Sequence, residues 1–385
     1  MTISTSTLII ISLLLFLSLT TPLFSAIRRR PHLPREGEEE GSEDTDTSMP
    51  MLTIVLTPQG DYRQLDEHLP LFLTQDYAPG YEIIVVSSLG DSGVDDVLKR
   101  YRDHENLRTT FIPDTTRYMS HRKLAITLGV KAATTEWILL CDPSCKPLSQ
   151  RWLYSIATHC HSGRDMVLGY VRFGMEAPTY YHFERFYTTM YLFRESLQNI
   201  AYRTNCPQVL FRKSVFMSGQ GYQGNLKYTI GEYDFLVNKY AEHGNCSVSL
   251  SPTSWMEEDV PSEKGWQNKH IFYQEIREHL SRSIRHRFLY NMDHTLLHGF
   301  LLLVLLTLIY STITLNYVLI GAGVFCLVLN FTLRYRQYKS AFAEYSIPVK
   351  ASHGVFYEWS MAWRAIRTRI RYEYADKFDF ISHKV

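Results

Sequence analysis

The sequence predicts an α/β protein with a mostly parallel central sheet, with apolar helices at its amino end and toward its carboxyl end. Three observations carry this reading. The runs Leu52 to Leu56, interrupted only by Thr53, Ile83 to Val86 and Trp137 to Leu140 are apolar, as strands covered on both faces require. Segments with apolar residues at helical spacing separate these runs, which is the rhythm of strands crossed over by helices. Leu8–Ile27 and Phe300–Leu333 are almost wholly apolar and long enough to cross a bilayer.

A chain of 385 residues has room for one or two domains and a large core. Forty basic residues against thirty-nine acidic ones leave a net charge of +1, so nucleic acid is not an expected partner. The six cysteines do not make a secreted-type disulfide framework. Cys141 and Cys145 are spaced like half a zinc site, but no second pair or nearby histidine completes it, and they read as buried thiols.

Residues 1–7 form a short end, and 8–27 read as a transmembrane signal anchor. Arg28-Arg29-Arg30 follows the apolar run, whereas a cleaved signal carries its charges before it. The positive-inside rule then puts the start outside and Arg28 inside. Residues 28–50 continue as a basic stop and an acidic flexible linker with Glu36, Glu38, Glu39, Glu40, Glu43, Asp44 and Asp46.

The soluble domain spans 51–280. Its first strand, from Leu52, is ended by Pro58 and Gly60. An amphipathic helix over Leu65–Leu73 leads to a strand over Tyr81–Val86, closed by Ser87 to Asp91. A helix over Val94–His104 and a short strand over Thr109–Ile112 follow. Leu124, Leu128 and Ala132 mark the next helix, behind His121-Arg122-Lys123, and the strand from Trp137 stops at Asp142-Pro143. An acidic residue at the carboxyl end of a buried strand lies where open α/β sheets place ligands. Equally, Asp142 opens a turn or caps the next helix. No glycine-rich dinucleotide or P-loop motif follows any strand.

Further along, Trp152 to His159 reads as a helix and Met166 to Val171 as a strand. Tyr180–Ile200 is a long aromatic helix that either lines a groove for a sugar or lipid or simply packs. Val209 to Lys213 reads as an edge strand, Gly219 to Gly224 as a mobile loop and Ile230–Tyr240 as a helix headed by Gly231-Glu232-Tyr233-Asp234. Ser247–Leu250 is a short strand, Trp255–Asp259 an acidic loop, and Trp266–Arg287 a basic, aromatic helix suited to a membrane surface. Residues 281–298 form an interfacial basic segment before transmembrane helices at 299–315 and 317–333. Arg282, Arg285 and Arg287 on one side and Arg334, Arg336 and Lys339 on the other put both ends in the compartment of the soluble domain. The tail, 334–385, is basic and aromatic, with Arg364, Arg367, Arg369 and Arg371, and it either meets anionic lipid or packs on the soluble domain.

Three segments, YEIIVVSSLGDSGVDDVLKR from Tyr81, RYMSHRKLAITLGVKAATTEWILLCDPSCKP from Arg117 and GEYDFLVNKY from Gly231, resemble the membrane-bound inverting glycosyltransferases of family 2. The resemblance implies a GT-A nucleotide-diphospho-sugar transferase-like fold and a nucleotide-sugar donor. It further implies a lipid-linked or glycan acceptor, contact with membrane lipids, and residence in a bacterial inner membrane with the soluble domain facing the cytoplasm. In that family an acid after the second strand contacts the base. An Asp-x-Asp turn holds Mg²⁺ or Mn²⁺ on the diphosphate, and an Asp at a helix start deprotonates the acceptor.

Carried over, the donor residues are Ser88, Asp91, Lys123 and Asp142, the metal pair is Asp142 and Ser144, and the catalytic group is Glu232, Tyr233 and Asp234. Gln208 and Trp266 mark the acceptor region. The chain departs from the pattern at five places, two of them in the acceptor region: Gln208 stands for an asparagine, and Trp266-Gln267-Asn268-Lys269-His270 is the nearest counterpart of a Gln-x-x-Arg-Trp-type segment. Ser87-Ser88 replaces the base-contacting acid, and Ser144, a neutral and poor ligand for Mg²⁺, replaces the second acid of the metal turn. Tyr233, a poor base near neutral pH, takes the place of the catalytic Asp. Glu232 or Asp234 can substitute as base, and His121, Arg122 or Lys123 can offset diphosphate charge. Two readings stay open: an active sugar transferase, or a non-catalytic relative that binds or scaffolds another transferase or an export protein.

Overall fold

The computed structural model describes residues 4–34, 49–112 and 120–376. The acidic run from Glu36 to Asp46, Arg117 and the tail beyond residue 376 lie outside the described residues. In chain order the elements begin with α1 (Thr5–Phe24), β1 (Leu52–Leu56), α2 (Tyr62–Leu73), β2 (Tyr81–Ser88), α3 (Ser92–Arg100), β3 (Leu107–Ile112) and α4 (His121–Ala132). Next come β4 (Trp137–Cys141), β5 (Cys145–Pro147), α5 (Trp152–Ala157), β6 (Met166–Gly169), β7 (Val171–Phe173), α6 (Thr179–Gln198), β8 (Gln208–Arg212) and α7 (Lys213–Ser218). The last are α8 (Glu232–Tyr240), β9 (Cys246–Ser249), β10 (Met256–Glu258), α9 (Glu263–Ile276), α10 (Ile284–Ile313), α11 (Tyr317–Glu344) and α12 (Ala351–Glu373). The chain divides into two units, the first holding the amino end to Pro31, Pro178–Tyr191 and Arg282–Arg367, the second holding the rest.

The second unit is mixed α/β around a seven-stranded sheet of order β3-β2-β1-β4-β8-β6-β9. β1 lies parallel to both β2 and β4, with Ile54 opposite Ile83 on one side and Leu139 on the other. Every residue of β1 and β4 is buried, which explains their nearly continuous apolar runs, and the one polar residue, Thr53, is satisfied by Glu82 and Thr135. From β1 the order runs outward to β2 and β3 on one side and to β4 on the other. The crevice beyond the carboxyl ends of β1 and β4 is therefore a topological switch point.

Several expected elements differ from the observed ones. The strand read as an edge, Val209–Lys213, is β8, and it lies inside the sheet, antiparallel to both β4 and β6. Its charges end a strand rather than protect an edge. The Arg212 guanidinium folds back over the Trp137 ring at 4.4 Å and donates to the Arg164 carbonyl at 2.9 Å, while Lys213 opens α7. The segment read as the acidic loop Trp255–Asp259 carries β10, the middle strand of a small sheet of order β5-β10-β7. Glu257 is satisfied there by Arg172 and Lys146 on the two flanking strands. Met166–Val171 is divided at Tyr170 into β6 and β7, which join different sheets. Trp266–Arg287 is two helices, since α9 ends at Ile276 and α10 starts at Ile284.

In the first unit, Thr5–Phe24, Tyr290–Ile313 and Tyr317–Glu344 are long and apolar enough to cross a membrane. Leu14, Phe300, Val304 and Cys326 form their shared core. Asn330 Nδ2 donates to the Ser18 carbonyl at 3.1 Å and to Thr21 Oγ1 at 2.7 Å, the kind of polar tie that holds helices together in lipid. The helices run past the expected spans: α10 begins within the segment read as interfacial, and α11 continues into the tail. Arg30, after α1, is paired within this unit, its Nε donating to Glu344 Oε2 at 3.0 Å. The aromatic stripe of α6 packs, with Phe183 on Tyr338 and Phe186 on Phe342 and Tyr345. The tail forms α12, and there Glu358 is buried in an ion pair with Arg334 at 2.7 Å. Phe356, Trp363, Ile366 and Ile370 stand exposed along the same helix.

Candidate active site

The site is assembled from five chain segments, four of them at the switch point and the fifth running from Thr229 to the head of α8. Gln59, Gly60 and Asp61 follow β1, and Ser88 ends β2. Asp142 follows β4, and Ser120 to Arg122 open α4. Gln59, Gly60, Ser88, Asp91, Ser120, His121, Arg122 and Thr229 line an open cleft of ≈ 400 Å³. Asp91 has a second duty, since its Oδ1 accepts from the Val94 amide and caps α3.

Arg122 is the hub. Its Nη2 donates to Asp142 Oδ2, and its Nη1 lies 3.3 Å from Glu232 Oε1. One guanidinium thus ties the acid at the end of β4 to the acid at the start of α8. Its side chain is 25% exposed, facing the cleft, while the Arg122 Nε and Glu232 Oε2 atoms are buried without a hydrogen-bond partner. Burial opposes charge on Arg122, but Asp142 and Glu232 outweigh it and hold the guanidinium protonated. Burial likewise pushes the Asp142 carboxyl up, and Arg122 with two bonds from Ser144 reverses that, keeping it below the usual carboxylate range.

Lys123, beside this hub in sequence, does not face the cleft. It is fully buried, and its Nζ donates to the carbonyls of Asn225, Tyr228 and Ile230 at 3.0, 2.7 and 3.1 Å. Ser120 adds its amide to the Leu226 carbonyl and its Oγ to the Thr229 carbonyl, both at 2.9 Å. The start of α4 therefore stitches down the loop that delivers α8. At the entry to α8, Gly231 has φ +93°, and a Cβ there would meet Ile276 at 2.8 Å, so only glycine fits.

The three residues at the head of α8 point to different partners. Glu232 turns to Arg122. Tyr233 comes under the field of Asp142 and Arg122, and burial followed by the Asp142 charge drives its phenol well above its ordinary value, so it stays neutral. Asp234 faces Arg203 at 3.6 Å, and burial raises its carboxyl to about 6 against the pull of that guanidinium and of Lys269. Lys269 also acts on Asp142, which puts Asp234 and Asp142 in the same electrostatic cluster.

The turn read as a metal turn is closed on itself. Ser144 donates through its Oγ at 2.8 Å and its amide at 3.0 Å to Asp142 Oδ1, while Arg122 takes Oδ2. Both carboxylate oxygens are thus engaged by protein donors, and the neighbouring oxygen is a neutral hydroxyl. Among the described residues no three His, Cys, Asp or Glu side chains converge as metal ligands. This donor set does not fit a divalent ion.

Of the expected site residues, the structure brings Asp142, Ser144, Glu232, Tyr233 and Asp234 into one cluster, with Ser88 and Asp91 on the adjoining cleft. It does not bring Gln208 or Trp266 to the cleft. Gln208 is buried in β8, its Nε2 donating to the Ser254 carbonyl at 3.0 Å, and Trp266 on α9 packs edge-on against Phe173. Asp61 is a site residue absent from the sequence reading. Burial and the nearby Asp142 charge raise its carboxyl, and its place after a buried parallel strand was the available signal. Arg203 carried no such signal.

The sequence matches no protein-family model, and no curated protein matches it. Solved structures do match. A mannosyltransferase from Pyrobaculum calidifontis in complex with GDP-Man and Mn²⁺ is 17% identical, with a TM-score of 0.51 over 83% of this chain and 98% of its own. TarS residues 1–349 from S. aureus in complex with UDP-GlcNAc is 12% identical, with a TM-score of 0.43 over 81% of this chain and 92% of its own. The likeness to the mannosyltransferase is one of fold.

Proposed function

We propose that the protein is a membrane-anchored glycosyltransferase of family-2 type. It moves a sugar from a nucleotide-sugar donor to a hydroxyl of a lipid-linked or polysaccharide acceptor, with inversion. The observation that carries this is the cleft at the switch point of the parallel sheet, opening onto the Arg122 guanidinium. Its walls after β1 and β2 suit a nucleoside, and Arg122 suits the diphosphate. The fold shared with a mannosyltransferase that holds GDP-Man supports the donor class.

In the transfer step the acceptor hydroxyl gives its proton to Asp234, and its oxygen forms the bond to the anomeric carbon. The bond from that carbon to the diphosphate oxygen breaks, and the electron pair leaves with the diphosphate against Arg122. A carboxyl near 6 is ionised at neutral pH yet still basic, the compromise a general base needs. Tyr233 stays neutral and takes no proton. Mn²⁺ accompanies GDP-Man in the mannosyltransferase, but the closed Asp142–Ser144 turn is unsuited to such an ion, and no step is assigned to one. The three apolar helices and the arginines at their ends favour an inner membrane with the second unit on its cytoplasmic side. The exposed aromatic and basic face of α12 suits anionic lipid headgroups.

A second reading, a non-catalytic subunit that binds or scaffolds another transferase or an export protein, is favoured by one feature. Tyr233 lies by Asp142 where the resembled family has its catalytic Asp. Calorimetry of UDP- and GDP-sugars on the detergent-solubilised full chain, followed by turnover with lipid acceptors, separates the two. Micromolar donor binding with turnover supports the transferase; donor binding without turnover on any acceptor supports the subunit. No binding across the panel rejects a donor site altogether.

A further inference from the structure

We propose that Arg122 is a resident cation that takes the place of a divalent metal, so that the site engages a nucleoside diphosphate without one. This rests on the donor reading above and deepens it. Asp142 gives one oxygen to two Ser144 donors and the other to Arg122, so three of its about four acceptor positions are already taken by the protein. Glu232, against the same guanidinium, is only 4% exposed, and its Oε2 has no hydrogen-bond partner. A metal ion entering here must displace Arg122, and the half-buried Arg122 would then lose both of its partners.

Arg122 is also placed to do the metal's work. It lines the cleft, it is held protonated by Asp142 and Glu232, and a guanidinium has five donors, of which the two carboxylates use only part. A diphosphate oxygen reaching the cleft-facing edge meets a fixed positive charge that no proton transfer can remove. Asp142 and Glu232 are then positioning residues that aim Arg122, and Ser144 matters because its hydroxyl holds Asp142 in line.

The test has two independent arms on the full-length protein in detergent. In the first, Mn²⁺ is titrated and followed by its paramagnetic resonance signal. The wild type should leave Mn²⁺ free at millimolar concentration, and R122A, with Asp142 and Glu232 released, should bind it at least about tenfold more tightly. Saturable Mn²⁺ binding by the wild type at micromolar concentration overturns the proposal. In the second arm, UDP- and GDP-sugar affinity is measured in EDTA and in Mn²⁺. It should agree within about twofold, and R122A should weaken the EDTA value about tenfold or more. R122K retains the charge and guards against misfolding; it should keep metal-independent binding, more weakly than the wild type. Donor binding that appears only with Mn²⁺ rejects the resident-cation role while leaving the donor reading intact. Absence of donor binding in both conditions rejects the donor reading, and the Mn²⁺ titration of the wild type then still decides whether Arg122 excludes the metal.

Discussion

Replacing Asp234 with asparagine should make the fold more stable at alkaline pH while removing transfer. The carboxyl is 9% exposed, and burial lifts it from the ordinary 3.8 to about 6 even with Arg203 at 3.6 Å. A folded-state value above the unfolded one means that the folded protein holds this proton more tightly. Below pH 3.8 both states are protonated and nothing is lost. As pH rises the folded state pays for ionising a buried acid, and the cost is complete above about 6. At about 1.36 kcal/mol per pH unit the full cost is about 3 kcal/mol, and at pH 5 it is about half of that. The neutral amide of D234N imitates the protonated acid and escapes this cost. The thermal midpoint of the second unit, followed by tryptophan fluorescence, should therefore rise by roughly 6–12 °C at pH 8 and by about half as much at pH 5. Donor affinity should hold, and turnover should fall by about 10²–10⁴. A variant less stable than wild type at pH 8, or a gain that does not shrink toward pH 5, refutes the reasoning. Full turnover in D234N refutes the base assignment alone.

Two further outcomes follow from buried charge elsewhere. Lys123→Met should unlatch the loop at Asn225–Ile230, lowering the thermal midpoint by the equivalent of about 3–5 kcal/mol and weakening donor binding with it, because three carbonyls lose their shared donor. Burial draws the Lys123 ammonium down to about 7, so the wild type should gain stability as pH rises from about 7 toward 10, a gain that K123M lacks; equal pH profiles would contradict this. In the first unit, R334M should cost about 3–5 kcal/mol by stranding Glu358, which is 1% exposed, and R334M/E358L should recover most of it. A double variant as unstable as the single would show that the pair does more than neutralise itself.

Much of the fold was legible because parallel strands announce themselves. β1, β2 and β4 are buried along most of their length, and their short, mainly apolar runs, with β1 and β4 closed by Pro58, Gly60 and Pro143, are too short for helices and read as strands. β10 was illegible for the opposite reason. Three residues, Met256 to Glu258, are too few to show a period, and Glu257 looks like a loop residue until Arg172 and Lys146 are seen flanking it. β8 was misjudged because a charge at a strand's end looks the same in sequence whether it guards an edge or reaches across to a neighbouring turn. At the site, Asp142 was readable from its position after β4. Arg122 and Glu232 were readable as candidates too, but their pairing with Asp142 was not, since Arg122 lies on α4 and Glu232 on α8 and only tertiary structure joins them.

That joining also relates the departures at Ser144 and Tyr233 to each other. The resembled pattern places acids at both positions beside Asp142, and so dense a negative cluster needs a divalent ion to balance it. Here a neutral hydroxyl and a neutral phenol stand at those positions, and the charge of Asp142 and Glu232 is met by one guanidinium already built into α4. Taken singly, Ser144 is the loss of a metal ligand and Tyr233 the loss of a base. Taken with Arg122 they are parts of one electrostatic exchange. With fewer carboxylates to neutralise, a single fixed positive charge suffices, and the transferase we propose passes the base duty one residue along α8 to Asp234, which burial has lifted to about 6. On the resident-cation proposal the site is not a metal site with pieces missing but a self-balanced one, and its expected behaviour toward Mn²⁺ follows from that balance.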